Sequence, residues 1–179
     1  MAEISLKERL QPALLDRLTD EEPEKSVESR DQRIISLPKL RAGVLRDLSW
    51  LLNSVHLEST VDLDDYPNVR NSVLNYGVPS FAGSSTAEIG IGEAERRVRD
   101  AVLRFEPRLT GSSVKVSFLK ESLREDSHNS LGIEIEAELW AQPVPLRMFM
   151  KTEFDLEIGA VRVTEVGDPA LRSPTRRRP

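Results

Sequence analysis

Leu131-Gly132-Ile133-Glu134-Ile135-Glu136-Ala137-Glu138-Leu139 alternates apolar and polar residues almost without a break. Successive side chains of a strand point to opposite faces, so Leu131, Ile133, Ile135, Ala137 and Leu139 share one side and the glutamates take the other. One buried and one solvated face is the habit of an antiparallel sheet. The same alternation marks Val114, Val116 and Phe118, then Leu146, Met148, Met150, Thr152, Phe154, Leu156 and Ile158. Val161 and Val163 close the series across Gly159-Ala160, which reads as a tight turn. The polar loop 121–130 and the Gln142-Pro143-Val144-Pro145 connection are of hairpin type. On the open face Glu134, Glu136 and Glu138 can meet Arg147 and Lys151, each pair adding about 0.2–1 kcal/mol and fixing register. Trp140 and Phe149 fall on that face and together mark a candidate contact surface.

Upstream of Pro107 the spacing is helical. Ser36 is a fitting N-cap and Pro38 suits a first turn. Leu37, Leu40, Val44, Leu45, Leu48, Leu51 and Leu52 then form a broad apolar face, ended by Asn53 and Ser54. A third helix is expected after Asp64-Asp65-Tyr66-Pro67, running through Val69, Val73 and Leu74 to Tyr76, with Gly77 as its left-handed stop. A fourth carries Ile91, Ala94, Val98, Ala101, Val102 and Phe105 inward. Its outer side offers Glu93–Arg97 and Glu95–Arg99, acid before base and four apart. Leu6, Leu10, Leu14 and Leu18 make a narrow stripe on an N-terminal helix that packs back on the domain or is offered to a partner; Pro12 interrupts it. Helices first and strands second give an α+β fold, a two-layer sandwich with the helices on one face of the antiparallel sheet. The expected organisation is an amphipathic helix at 1–19, an acidic linker at 20–35, the α+β domain at 36–166 and a basic disordered tail at 167–179.

Composition removes several chemistries. The 179 residues include no cysteine, which excludes disulfides, thiolate nucleophiles and thiolate metal sites. No stretch approaches the roughly 18 apolar residues of a membrane span, and Met1-Ala2-Glu3-Ile4-Ser5 does not begin a signal peptide, so a cytoplasmic protein is expected. A net charge of −5 argues against a general nucleic-acid binder. The arginines of the tail (Arg172, Arg176, Arg177, Arg178) would suit phosphate, but no aromatic residue is interleaved to stack on bases. There is no glycine-rich phosphate loop, paired-histidine zinc helix or G-x-S-x-G elbow. His56 and His128 sit in polar connections and read as surface histidines. Neither a cofactor nor a metal is expected.

Local chemistry is most constrained at Phe105-Glu106-Pro107-Arg108. Pro107 drives Glu106 out of helical geometry and turns its side chain away from the exposed stripe. Arg108 supplies a planar, bidentate donor two residues on. The corner is either a helix stop with a local ion pair or a recognition point at which Glu106 and Arg108 meet another subunit. As an enzyme, the chain would have to use Glu106 as the general acid of a peptidoglycan glycosidase, and no second acid presents itself.

Leu14-Leu15-Asp16-Arg17-Leu18, Leu45-Arg46-Asp47-Leu48-Ser49-Trp50-Leu51-Leu52-Asn53, Asp65-Tyr66-Pro67, Ser72-Val73-Leu74-Asn75-Tyr76-Gly77-Val78-Pro79 and Phe105-Glu106-Pro107-Arg108-Leu109 resemble, in order, segments of the TssE family, baseplate wedge subunits of bacterial type VI secretion systems. That family is similar to the lysozyme-labelled wedge protein of contractile phage tails. The resemblance runs from about Ser5 to Val166. It implies a structural part of the baseplate and not an enzyme. Implied partners are the wedge subunits TssF and TssG, through them TssK, and the sheath proteins TssB and TssC. It also implies that Glu106, Pro107 and Arg108 hold the subunit in the wedge, and that a free sheet edge helps to start the sheath by strand addition.

Overall fold

The computed structural model of the chain describes residues 13–19, 23–24, 36–82, 90–119, 130–140 and 145–167. Leu6, Leu10, Pro12, nearly all of the 20–35 linker, the 121–129 loop with His128, Gln142-Pro143-Val144 and the tail from Asp168 lie outside the described residues.

Among the described residues four α-helices precede four strands: α1 (Leu14–Leu18), α2 (Leu37–Leu52), α3 (Pro67–Arg70) and α4 (Ile91–Phe105), then β1 (Lys115–Phe118), β2 (Ser130–Leu139), β3 (Leu146–Asp155) and β4 (Val161–Val166). The strands form one antiparallel sheet in the order β1-β2-β3-β4. Helix α2 packs against β4 and against α4, and α4 packs against β1, so the two long helices cover one sheet face. This is the α+β arrangement that the alternating residues call for.

Helix α2 begins as its sequence dictates. The Ser36 Oγ accepts from the Lys39 amide at 3.4 Å, and Pro38 occupies the first turn, where no amide partner is needed. Leu40, Val44, Leu48, Leu51 and Leu52 are buried; Leu37, expected on that face, stays exposed at the helix start. Helix α4 buries Ala94, Val98, Ala101 and Val102. Beneath them lie Leu131, Ile133, Ile135, Ala137, Leu139, Met148, Met150 and Phe154 in one continuous core. Thr152 joins them fully buried, its hydroxyl donating to the Ile133 carbonyl at 2.9 Å.

Several expectations are corrected. The third helix does not form as one element. It is the four-residue α3 followed by a 3-10 turn at Val73–Asn75, with Val73 and Leu74 fully outside the core. Ser72 causes the break: its extended backbone separates the two turns, and its hydroxyl bonds the Val69 carbonyl and the Leu74 amide. The Gly159-Ala160 turn is a longer loop, residues 156–160, organised by Asp155, whose Oδ1 accepts from the Glu157 and Ile158 amides. Ile158 is therefore exposed. Phe149 does lie on the outer face but is buried there, flanked in register by Glu136 and Val166 and along its strand by Arg147 and Lys151. Of the expected cross-strand pairs, Glu138–Arg147 forms at 3.7 Å. Glu136 turns instead to Lys115 and Lys151 to Glu153, each at 3.3 Å.

Gly77 has a role other than stopping a helix. Val55 and Val78 form a short parallel bridge, with the Val78 amide on the Ser54 carbonyl at 2.9 Å. Gly77 sits at φ +126°, and a Cβ there would lie 2.3 Å from the Ser54 oxygen. Gly77→Ala is expected to cost at least about 2 kcal/mol through backbone strain and collision. Urea denaturation measures it, and an unchanged midpoint would show that the crossing opens freely.

Candidate functional site

The corner after α4 is built around one guanidinium. The Glu106 amide still closes the helix on the Val102 carbonyl at 2.9 Å, but its ψ of 77° sends the chain away before Pro107. That bend puts the Glu106 side chain inside, 2% exposed. Arg108 returns to it: the Arg108 amide and Nε donate to Glu106 Oε1 at 3.2 and 2.6 Å, and an Nη donates to Oε2. The same Nη bonds Asp47 of α2. Asp47 in turn accepts from Arg46 Nε at 2.8 Å, and Arg46 pairs with Asp16 of α1 while lying 5.0 Å over the Trp50 ring. Asp16, Arg46, Asp47, Arg108 and Glu106 thus form one alternating chain of charge across three elements.

Burial pulls the Arg108 pKa down, but hydrogen bonds and charge from Glu106, then Asp47, outweigh it and the net shift is upward. Arg46 is raised as well, first by its hydrogen bond to Asp16, with Asp47 adding to it against desolvation. The Tyr76 hydroxyl is pushed up by burial and then by the charges of Asp47 and Glu106. Gly43 of α2 gives the chain room: a Cβ there would lie 3.5 Å from Asp16 Oδ2 and 3.6 Å from an Arg108 Nη.

The corner also starts the sheet. The Arg108 carbonyl accepts from the Trp140 amide at 2.7 Å, and the Thr110 amide donates to the Glu138 carbonyl at 2.8 Å. Leu109 and Leu139 form the bridge between these bonds. Both oxygens of Glu106 are taken by Arg108, and Glu106 does not line the cleft of about 240 Å³ nearby. That cleft lies between α4 and the 56–77 segment and is lined by His56, Glu58, Arg70, Asn75 and Arg104, among others. His56, expected on the surface, is buried, its Nδ1 3.1 Å from the Ser59 hydroxyl. The Val55–Val78 bridge beside it draws it in. Among the described residues no group of histidines and carboxylates could hold a metal ion, and no helix is long and apolar enough to cross a membrane.

The two sheet edges are treated differently by the helices. In an antiparallel ladder, alternate residues of an edge strand turn their amide and carbonyl outward. On β1 the Glu95 carboxylate accepts from the Phe118 amide at 2.9 Å, and just before it Arg99 Nε donates to the Val114 carbonyl at 3.1 Å. The expected Glu95–Arg99 pair is thus spent on the sheet edge, while Glu93–Arg97 forms as expected at 2.7 Å. On β4 the Asn53 side chain takes both groups of Val161, at 2.8 and 2.9 Å. The Asp155–Ala160 bond sets the phase of that ladder, so Val163 and Glu165 are the next residues to turn outward. Their outward groups have no partner among the described residues. Asn53 was legible only as a helix end, and Glu95 and Arg99 only as helix-surface residues; nothing in their spacing points to a strand.

A family model described as Baseplate wedge protein gp25 matches residues 38–144, more than half of the chain. The matched stretch contains Arg46, Asp47, Glu106 and Arg108, and leaves out α1, β3 and β4. Comparison with curated proteins and with solved structures finds no match.

Arg108→Ala strips the buried Glu106 of its donors and is expected to cost about 3–5 kcal/mol. Glu106→Gln keeps the shape and one acceptor and should cost about 1–3 kcal/mol. Chemical denaturation of both variants and of the double variant gives their coupling; additive losses would mean that the two side chains do not act as a pair.

Proposed function

The chain belongs to the Baseplate wedge protein gp25 family, and on that premise we propose that it is the TssE-type wedge subunit of a type VI secretion system, a cytoplasmic adaptor between wedge and sheath. Membership itself carries a structural role in the baseplate of a contractile machine, in contact with other baseplate components. The finer reading places TssF and TssG as direct partners, TssK behind them, and the first ring of TssB and TssC as the sheath contact.

In this reading Glu106, Pro107 and Arg108 dock the subunit in the wedge. Pro107 is exposed and the Arg108 side chain is 21% exposed, so the corner has an outer surface. Glu106 holds Arg108 in one rotamer from beneath, and the other Nη of Arg108 is buried without a partner, an orphaned donor that an acceptor reaching into the corner would satisfy. A glycosidase reading has less support, because the carboxyl that would have to give up a proton is bound on both oxygens by Arg108. Sheath initiation by strand addition is supported by the open stretch of β4 at Val163 and Glu165; the β1 edge has α4 side chains on it.

The single observation carrying the proposal is the family match across the charged corner. Co-purification with TssF and TssG tests it. Arg108→Lys keeps the charge but loses the bidentate fork, and recovery of the partners should fall about tenfold or more with the fold intact. A folded variant that binds normally removes the corner from the interface. Peptidoglycan hydrolysis by the unaltered chain, abolished in Glu106→Gln, would overturn the structural role. At the edge, Val163→Pro removes an outward amide that β3 does not use, so the fold should survive while sheath assembly is blocked. Assembly at the normal rate would place the sheath contact elsewhere.

A further inference from the structure

We infer that residues 54–78 form a second docking surface, separate from the corner, for an aliphatic protein surface rimmed by lysine or arginine. The inference rests on the wedge-adaptor reading for its partner class, and on the following geometry for its site.

The segment leaves the domain after α2 and returns to its starting point. Its ends meet where the Val78 amide bonds the Ser54 carbonyl at 2.9 Å and the His56 amide bonds the Val78 carbonyl at 3.2 Å. Its interior holds Leu63, 3% exposed, and a polar network. Asn75, 4% exposed, accepts from the Glu58 amide at 2.9 Å and donates to the Arg70 carbonyl at 3.1 Å. Arg104 of α4 donates to that same carbonyl at 2.8 Å, and Arg70 pairs with Glu58 and Asp64. Its exposed residues are mixed, and three large apolar ones stand out among them: Tyr66 is 60%, Val73 77% and Leu74 68% exposed. Leu57, also exposed, belongs to the turn that packs against residues 73–75.

Hydrogen bonds hold the exposed aliphatic groups in place. The 3-10 turn carrying Val73 and Leu74 is tied by Ser72 Oγ to the Leu74 amide and by the Tyr76 amide to the Val73 carbonyl, both at 3.2 Å. A framed loop with aliphatic groups outside is a surface arranged before its partner arrives.

Charge selects the partner. Residues 54–78 hold Glu58, Asp62, Asp64 and Asp65 against Arg70 alone. Arg70 takes up Glu58 and Asp64, which leaves Asp62 and Asp65 exposed on the same segment, Asp65 next to Tyr66 in the chain. An acidic rim repels nucleic acid and anionic lipid, and it repels a second copy of itself. A baseplate protein with aliphatic groups ringed by basic ones satisfies both features.

The test is co-purification of the full chain with co-expressed TssF and TssG, with folding followed by thermal melting. Val73→Asp combined with Leu74→Asp should leave the melting temperature unchanged and lower recovery about tenfold or more. Asp62→Lys combined with Asp65→Lys should lower recovery and remove its dependence on salt. If the unaltered chain recovers neither subunit, the adaptor reading fails and this inference with it. If the unaltered chain recovers them and the folded Val73→Asp, Leu74→Asp variant recovers as much, the inference alone fails. A wild-type dimer in solution that this variant makes monomeric would also overturn it, because the occupant would then be a second copy.

Discussion

The guanidinium of Arg108 is where the helical layer, the sheet and the N-terminal helix are joined. Its side chain binds the acid that ends α4 and the acid in the middle of α2, while its own carbonyl opens the sheet at Trp140. Burying the Glu106 carboxylate beside an arginine is costly, and the bonds of Arg108 to both of its oxygens offset that cost, although one Nη of Arg108 stays buried without a partner. The need for those bonds fixes the angle at which the chain leaves the helix. Arg46 extends the same arrangement to Asp16, so α1 is held to the domain through a carboxylate while Leu14, Leu15 and Leu18 remain exposed.

Much of the architecture was legible because the relevant physics is local. A strand with one wet face has to alternate, and β2 and most of β3 do. A helix must satisfy its first amides, and Ser36 and Pro38 announce α2. The failed third helix is instructive: Val69, Val73 and Leu74 have helical spacing, but Asn71 and Ser72 lie between them, and Ser72 offers the backbone a local alternative. Periodicity alone does not weigh that competition.

The bend of the charged corner was legible in its residues, but not the groups they meet. Pro107 foretells that Glu106 turns inward, and the structure puts it there. Which of thirty acids meets Arg108 cannot be read from spacing, since Asp47 is sixty-one positions away. The same holds for Asn53, which reaches Val161 across the whole domain. His56 was misplaced for a related reason: its burial follows from a bridge between Val55 and Val78 that no short pattern encodes.

Asn53 on β4, with Glu95 and Arg99 on the β1 side, has an effect that reaches beyond the single molecule. A fully open edge would let free copies stack on one another indefinitely. With both groups of Val161 taken, an incoming strand on β4 finds only the short run at Val163 and Glu165 and soon leaves again. Lasting attachment then needs several such edges held side by side, each rebinding before its neighbours let go. If sheath assembly uses this edge, as proposed, polymerisation would begin on an assembled platform and stay silent in the free pool.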